Sequence, residues 1–139
     1  MLGSRGHGIA VGDHGLVTDC SSGSNAGDGI RVQSECIVRG NVSTENGAGG
    51  GIGAGIHVVG LGGRIEGNAC TASEVGIDVD AANNVIVRNT CSANTVNWEI
   101  VPSNAVAPIV LASKTFGTIS GDTFGGSLGS TDPNANFTH

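Results

Sequence analysis

The 139-residue chain has no tyrosine, one tryptophan and three phenylalanines, so aromatic residues make up only 3%. Charged residues reach 13%, roughly half the ~25% usual in globular domains. Such a composition argues against helix bundles and coiled coils, which need stretches rich in Leu, Glu, Lys and Ala. It also argues against a disordered acidic tail, which pairs low hydrophobicity with high net charge, because 38% of the residues here are hydrophobic, mostly Val, Ile and Ala. Prolines number three and glycine has no period of three, which excludes collagen. No apolar run approaches the ~18 residues of a membrane span. Met1–Gly6 contains no apolar core of a secretion signal, so no signal peptide is expected, although an extracellular location fits if the chain belongs to a longer one. The net charge of −6 disfavours nucleic acid and anionic membranes as partners, since both require a basic footprint. The four cysteines, Cys20, Cys36, Cys70 and Cys91, form no CxxC pair, so a zinc ribbon or redox motif is not expected. They read as buried free thiols that pack as small apolar groups.

Glycine is plentiful: 25 residues, about 18% of the chain against a typical ~7%. Four of these glycines open the copies of a repeat. Gly8-Ile9-Ala10-Val11 returns as Gly29-Ile30-Arg31-Val32, Gly55-Ile56-His57-Val58 and Gly76-Ile77-Asp78-Val79, with Asn97-Trp98-Glu99-Ile100 as a degenerate fifth copy. The steps are 21, 26, 21 and 21 residues, and the long step contains Gly47–Gly51, a flexible insertion. A second column repeats in the same register: Leu16-Asp19-Ser21, Val38-Asn41-Ser43, Ile65-Asn68-Cys70 and Ile86-Asn89-Cys91. A third comprises Asn25, Asn46, Ser73 and Asn94, with a one-residue slip in the first copy. Period-two alternation within Ile-x-Val, the strand preference of Val and Ile, and punctuation by Gly, Asn and Asp predict three short strands per ~21-residue unit. Stacked units of that kind make a parallel β-helix, each strand pairing with its equivalent one unit away at about 4.8 Å. The Asn column then becomes a ladder that satisfies buried amides from unit to unit.

The runs GIRVQSECIVRGN, GIHVVGLGGRIEGN and GIDVDAANNVIVRN resemble the repeat of right-handed parallel β-helix proteins, the pectate-lyase-like superfamily with its carbohydrate-binding relatives. The resemblance spans roughly residues 8–100. It implies an all-β, right-handed parallel β-helix of about five coils over residues 1–101. Residues 102–139 follow as an irregular last coil or tail, with strands expected over Val106–Leu111 and Phe116–Ile119 and a capping or oligomerising role. The superfamily includes lyases, hydrolases, epimerases, tail fibres and inert structural proteins, so the resemblance speaks to fold more than to activity.

Ile and Val of each Gly-Ile-x-Val face inward, which turns the x residue outward. Ala10, Arg31, His57, Asp78 and Glu99 therefore form one outward column, flanked by Gly12, Gln33, Val59, Asp80 and Val101. The resemblance implies that this face is where related enzymes carry catalytic groups. Three chemistries could use His57, Asp78 and Glu99. Carboxylates about 5 Å apart, as Asp78 and Glu99 would be, suit a retaining glycosidase. The same three residues could hold Ca²⁺ or Zn²⁺. Elimination on a uronate would need Arg31 as base, which an exposed guanidinium resists. Against all three, any outward column must hold polar residues, and Arg31, His57, Asp78, Asp80 and Glu99 can simply offset one another along the sheet. The expectation is a non-catalytic structural or carbohydrate-associated module. The alternatives are a polysaccharide-active enzyme or a metal-binding module on the same column. No metal-ligand set or cofactor is assigned, Ca²⁺ being a possible ion, and polysaccharide is the candidate ligand. The first unit begins at Gly8, leaving no room for a capping helix, and would expose strand edges with Ile9, Val11 and Leu16. A homo-oligomer is expected on that ground, a trimer by resemblance to fibrous β-helix proteins. Two sequons occur, at Asn41 and Asn136; Asn41 falls in the inward ladder, so no glycan is expected there.

Overall fold

The computed structural model describes residues 3–48, 50, 52–112 and 130–139. The expected strand over Phe116–Ile119 lies outside these residues. The described chain contains sixteen short strands and no helix. The strands build three parallel sheets, as in a parallel β-solenoid. The first sheet runs β1 (Ile9–Val11), β4 (Ile30–Val32), β7 (Ala54–Val58), β10 (Val75–Val79) and β13 (Val96–Ile100). The second runs β2 (Leu16–Thr18), β5 (Ile37–Arg39), β8 (Arg64–Glu66), β11 (Val85–Val87) and β14 (Ala105–Val106). The third runs β3 (Ser21–Gly23), β6 (Val42–Thr44), β9 (Ala69–Thr71), β12 (Thr90–Ser92), β16 (Asn136–Thr138) and β15 (Ile109–Leu111).

Strand pairing follows the repeat. Ile9, Ile30, Ile56, Ile77 and Trp98 are successive register partners, and Val11, Val32, Val58, Val79 and Ile100 form the parallel file. Ile30, Ile56, Ile77, Val32, Val58 and Val79 are buried, and Val38, Ile65 and Ile86 meet them from the second sheet. The glycine that opens each of the first four copies is there for close approach. A Cβ built on Gly76 would lie 2.5 Å from the Asn97 carbonyl oxygen and 2.9 Å from Cys91 Sγ.

The bends between sheets share one construction. A residue with left-handed backbone is followed immediately by a ladder residue. At one bend the left-handed residues are Asp19, Gly40, Gly67 and Arg88, and Cys20, Asn41, Asn68 and Asn89 follow them. Asn41, Asn68 and Asn89 each donate Nδ2 to the next side chain in the ladder, which also accepts from their own backbone N–H. Asn136 in β16 takes the next place, so the ladder runs from Cys20 N–H to Asn136. A second ladder joins Asn25, Asn46, Ser73 and Asn94. A third, not foreseen from the repeat, joins Gly63, Asn84 and Asn104. These side chains supply acceptors to backbone N–H groups that turn away from the sheets, the reason buried polar residues are tolerated here.

The expected register of the first unit is corrected by one residue. Val17, not Leu16, pairs with Val38 and is buried, while Leu16 pairs with Ile37 and is 64% exposed. Cys20 and Ser22, not Asp19 and Ser21, take the places equivalent to Asn41 and Ser43. Asp19 instead has the left-handed backbone of the bend. A one-residue slip turns every side chain to the opposite face, so the apolar residue that completes the core decides the register.

The four cysteines are free. Cys70 and Cys91 are fully buried register partners, and the neighbouring Cys91 thiol together with burial pushes the Cys70 thiol well above its ordinary value.

Candidate functional site

The outward column forms as its spacing predicts: Ala10, Arg31, His57, Asp78 and Glu99 are consecutive register partners across the first sheet. The structure brings His57, Asp78 and Asp80 together. His57 Nε2 lies 2.9 Å from Asp80 Oδ2 and 3.8 Å from Asp78 Oδ2. One donor atom from each of these three residues falls within 4.8 Å of the others. Glu99 stands beside Asp78 in register but is exposed. Arg31 stands on the other side of His57, and its buried Nε has no hydrogen-bond partner.

Asp28 is the group that the repeat does not reveal as part of this site. It lies just before Gly29 at the entry to β4 and is 5% exposed. Its Oδ2 is 2.9 Å from His57 Nδ1, and its Oδ1 accepts the Ala54 backbone N–H at 2.9 Å. Strand alternation says nothing about a residue in the bend before a strand. The 21-residue period does carry a signal, because His7 occupies the equivalent place before Gly8. His7 Nδ1 lies 3.1 Å from Asp28 Oδ2 and equally 3.1 Å from the Asp28 N–H, so its tautomer decides whether it donates to the one or accepts from the other.

With a carboxylate against each ring nitrogen, His57 needs a proton on both and is held as imidazolium. The Asp28 hydrogen bond outweighs burial and, helped by Asp80 and by the charges of Asp28 and Asp78, raises its pKa from 6.5 to about 9. Burial pushes the Asp28 carboxyl up, but the bonds from His57 and the Ala54 N–H and the nearby imidazolium leave it below its ordinary value. Asp78 goes the other way. Burial is the leading cause, and repulsion from Asp80, Glu99 and Asp28 adds to it against the attraction of His57, so its carboxyl is raised.

Elsewhere, a shallow groove of about 370 Å³ follows the bend between the third and first sheets, lined by Glu45, Asn46, Gly47, Ala48, Ser73 and Glu74 among others. Glu45 accepts from Ser24 Oγ and Glu74 from Thr95 Oγ1 across neighbouring units. On the second sheet, Glu66 is paired with both Arg64 and Arg88.

No protein-family model matches the chain, and no curated protein or solved structure matches it either.

Proposed function

We propose that the chain is a structural, carbohydrate-associated module of the right-handed β-helix type, about five coils tall, which assembles with copies of itself into a trimer. The observation that carries this reading is the state of the stack's outer edges. Among the described residues, β1, β2 and β3 are edge strands at one end and β13, β14 and β15 at the other. They present aliphatic side chains to solvent, with Leu16 of β2 at 64% exposure and Leu111 of β15 at 77%, and Val106 of β14 and Ile109 of β15 exposed as well. Unpaired parallel strands carrying apolar side chains favour pairing with another copy of the chain; the number three draws its support from the resemblance to fibrous β-helix proteins. The carbohydrate association draws its support from the resemblance of the Gly-Ile-x-Val repeat. The non-catalytic reading draws its support from Asp28, His57 and Asp80, whose polar atoms are engaged with one another.

Sedimentation of the purified chain over a range of concentrations tests the assembly. A species near three times 13.7 kDa, about 41 kDa, is expected, and Leu16→Lys or Leu111→Lys should shift it toward the single chain. A monomer at all concentrations would overturn the proposal. One observation favours an enzyme as the second reading: Asp78, with its raised carboxyl, is the register partner of Glu99, the pairing that a general acid and a nucleophile on a glycan would need. Release of reducing sugar or unsaturated uronate from a polysaccharide panel, lost on Asp78→Asn, would establish that reading in place of the first.

A further inference from the structure

We propose that His57, Asp78 and Asp80 form a binding site for a divalent transition-metal ion, zinc being the ion that fits, with Asp28 holding the histidine in place.

The donor set comes first. One imidazole nitrogen and two carboxylate oxygens suit zinc and its neighbours in the first transition row. Ca²⁺ takes six to eight oxygen ligands and gains little from an imidazole.

Spacing comes second. Zn–N and Zn–O bonds of about 2.0–2.1 Å put adjacent donors of a tetrahedron roughly 3.3–3.5 Å apart. Here His57 Nε2 lies 2.9 Å from Asp80 Oδ2 and 3.8 Å from Asp78 Oδ2, and the three donors fall within 4.8 Å of one another. Side-chain rotations that open the 2.9 Å pair and draw the wider-set carboxylate oxygens inward, by up to roughly an ångström, bring the set to bonding geometry.

Preorganisation comes third, and it separates this cluster from acidic residues that merely share a surface. His57 is 18% exposed, and its Nδ1 is fixed by Asp28, which is itself fixed by the Ala54 backbone N–H. This is a carboxylate–histidine pair with the second ring nitrogen aimed at the remaining donors, the arrangement that orients metal-bound histidines. His57 and Asp78 are register partners on adjacent strands, and Asp80 follows the end of β10 with its N–H bonded to the Val58 carbonyl, so the sheet sets the separation of all three. The charges are favourable too. Asp28, Asp78, Asp80 and Glu99 face Arg31, His7 and His57 across the face, leaving the carboxylates in excess when His57 is neutral.

On binding, the proton on His57 Nε2 leaves to solvent and the nitrogen lone pair takes its place on the metal, while Nδ1–H continues to donate to Asp28. Asp78 and Asp80 supply one oxygen each, and water fills the fourth position on the exposed Asp80 side. The site stands independently of the assembly proposed above.

The test is zinc titration of the full chain in competition with a chromophoric chelator, alongside the visible spectrum of the chain loaded with Co²⁺. One equivalent of Zn²⁺ should bind, and the Co²⁺ spectrum should show tetrahedral nitrogen–oxygen bands without thiolate charge transfer. Asp80→Asn and Asp78→Asn should each weaken binding at least tenfold, and His57→Gln should abolish it. Asp28→Asn should weaken it about 10–100-fold through the orientation of His57. Asp80 is exposed and outside the ladders, so Asp80→Asn keeps the test valid if His57→Gln does not fold, with far-UV circular dichroism checking each variant. The proposal is overturned if no stoichiometric zinc binds, if a folded Asp80→Asn chain binds as tightly as the parent, if Ca²⁺ competes on equal terms, or if Co²⁺ shows thiolate bands.

Discussion

Replacing Asn68 by alanine removes the middle rung of the longest ladder. Its Oδ1 accepts the Asn41 backbone N–H and Nδ2–H, both at 3.0 Å, and its Nδ2 donates to the Val38 carbonyl at 2.9 Å and to Asn89 Oδ1 at 3.0 Å. All of these groups are buried, so truncation strands the Asn41 N–H and takes a donor from Val38. Each buried group left without its partner costs about 1–3 kcal/mol, and the loss should total ~3–5 kcal/mol. That is a large part of the ~5–15 kcal/mol that holds a domain folded. Asn104→Ala is the internal control. Asn104 makes the same kinds of bond, to Asn84 N–H and the Ala81 and Val101 carbonyls, but at the partly exposed last rung, where water can replace it. Its loss should cost only ~1 kcal/mol. Urea unfolding followed by Trp98 fluorescence and by circular dichroism measures both, with coincidence of the two probes checking that the stack unfolds as one unit. Amide exchange at Asn41 should accelerate in Asn68→Ala alone. A loss below 1 kcal/mol, or equal losses in the two variants, would refute the argument that the ladder carries the bend.

Stability should also fall as pH rises through the titration of His57. Its folded pKa of about 9 exceeds the 6.5 of the unfolded chain, so its contribution is complete below pH 6.5 and disappears as pH climbs through 9. The shift sets a ceiling of ~3 kcal/mol, which solvent around exposed Asp80 reduces to ~1–2 kcal/mol. The urea midpoint of the parent should drop toward that of His57→Gln over this range, and parallel curves would contradict the pairing. Gly76→Ala should cost ~1–3 kcal/mol by overpacking, because the new Cβ would meet the Asn97 carbonyl of the adjacent strand; an unchanged urea midpoint would contradict the close approach. Ala72→Gly should act in the opposite sense, since Ala72 has φ 53°. Relief of left-handed strain, less the added freedom of the unfolded chain, gives a gain of up to ~1 kcal/mol in thermal or urea unfolding, and a loss would show that the bend is unstrained.

The parts of the structure legible in the sequence are those where each unit faces the same demand. Ile-x-Val must fill the same slice of core in every unit, and Asn must bridge the same bend, so both recur at 21 residues and the outward column follows by alternation. The misreadings fall where that demand lapses. At the first rung Cys20 only has to offer its backbone N–H to Asn41, so no asparagine is needed there. Asp19, which tolerates left-handed backbone, imitates the missing rung one place early and draws Leu16 into the core position of Val17. Asn136 lies 47 residues beyond Asn89, where the period is broken, and only the third dimension returns it to the ladder. Asp28 was hidden because it sits in a bend, outside the reach of strand alternation, although it is the group that fixes His57.

The most direct test of the account is a nuclear Overhauser spectrum of isotope-labelled protein, read for contacts between residues one unit apart. Stacked parallel strands predict backbone contacts from Ile77 to both Ile56 and Trp98, and from Val38 to Val17 rather than to Leu16. A spectrum in which Ile56, Ile77 and Trp98 share no such contacts would contradict the stacking on which the ladders, the core files and the His57 site all stand.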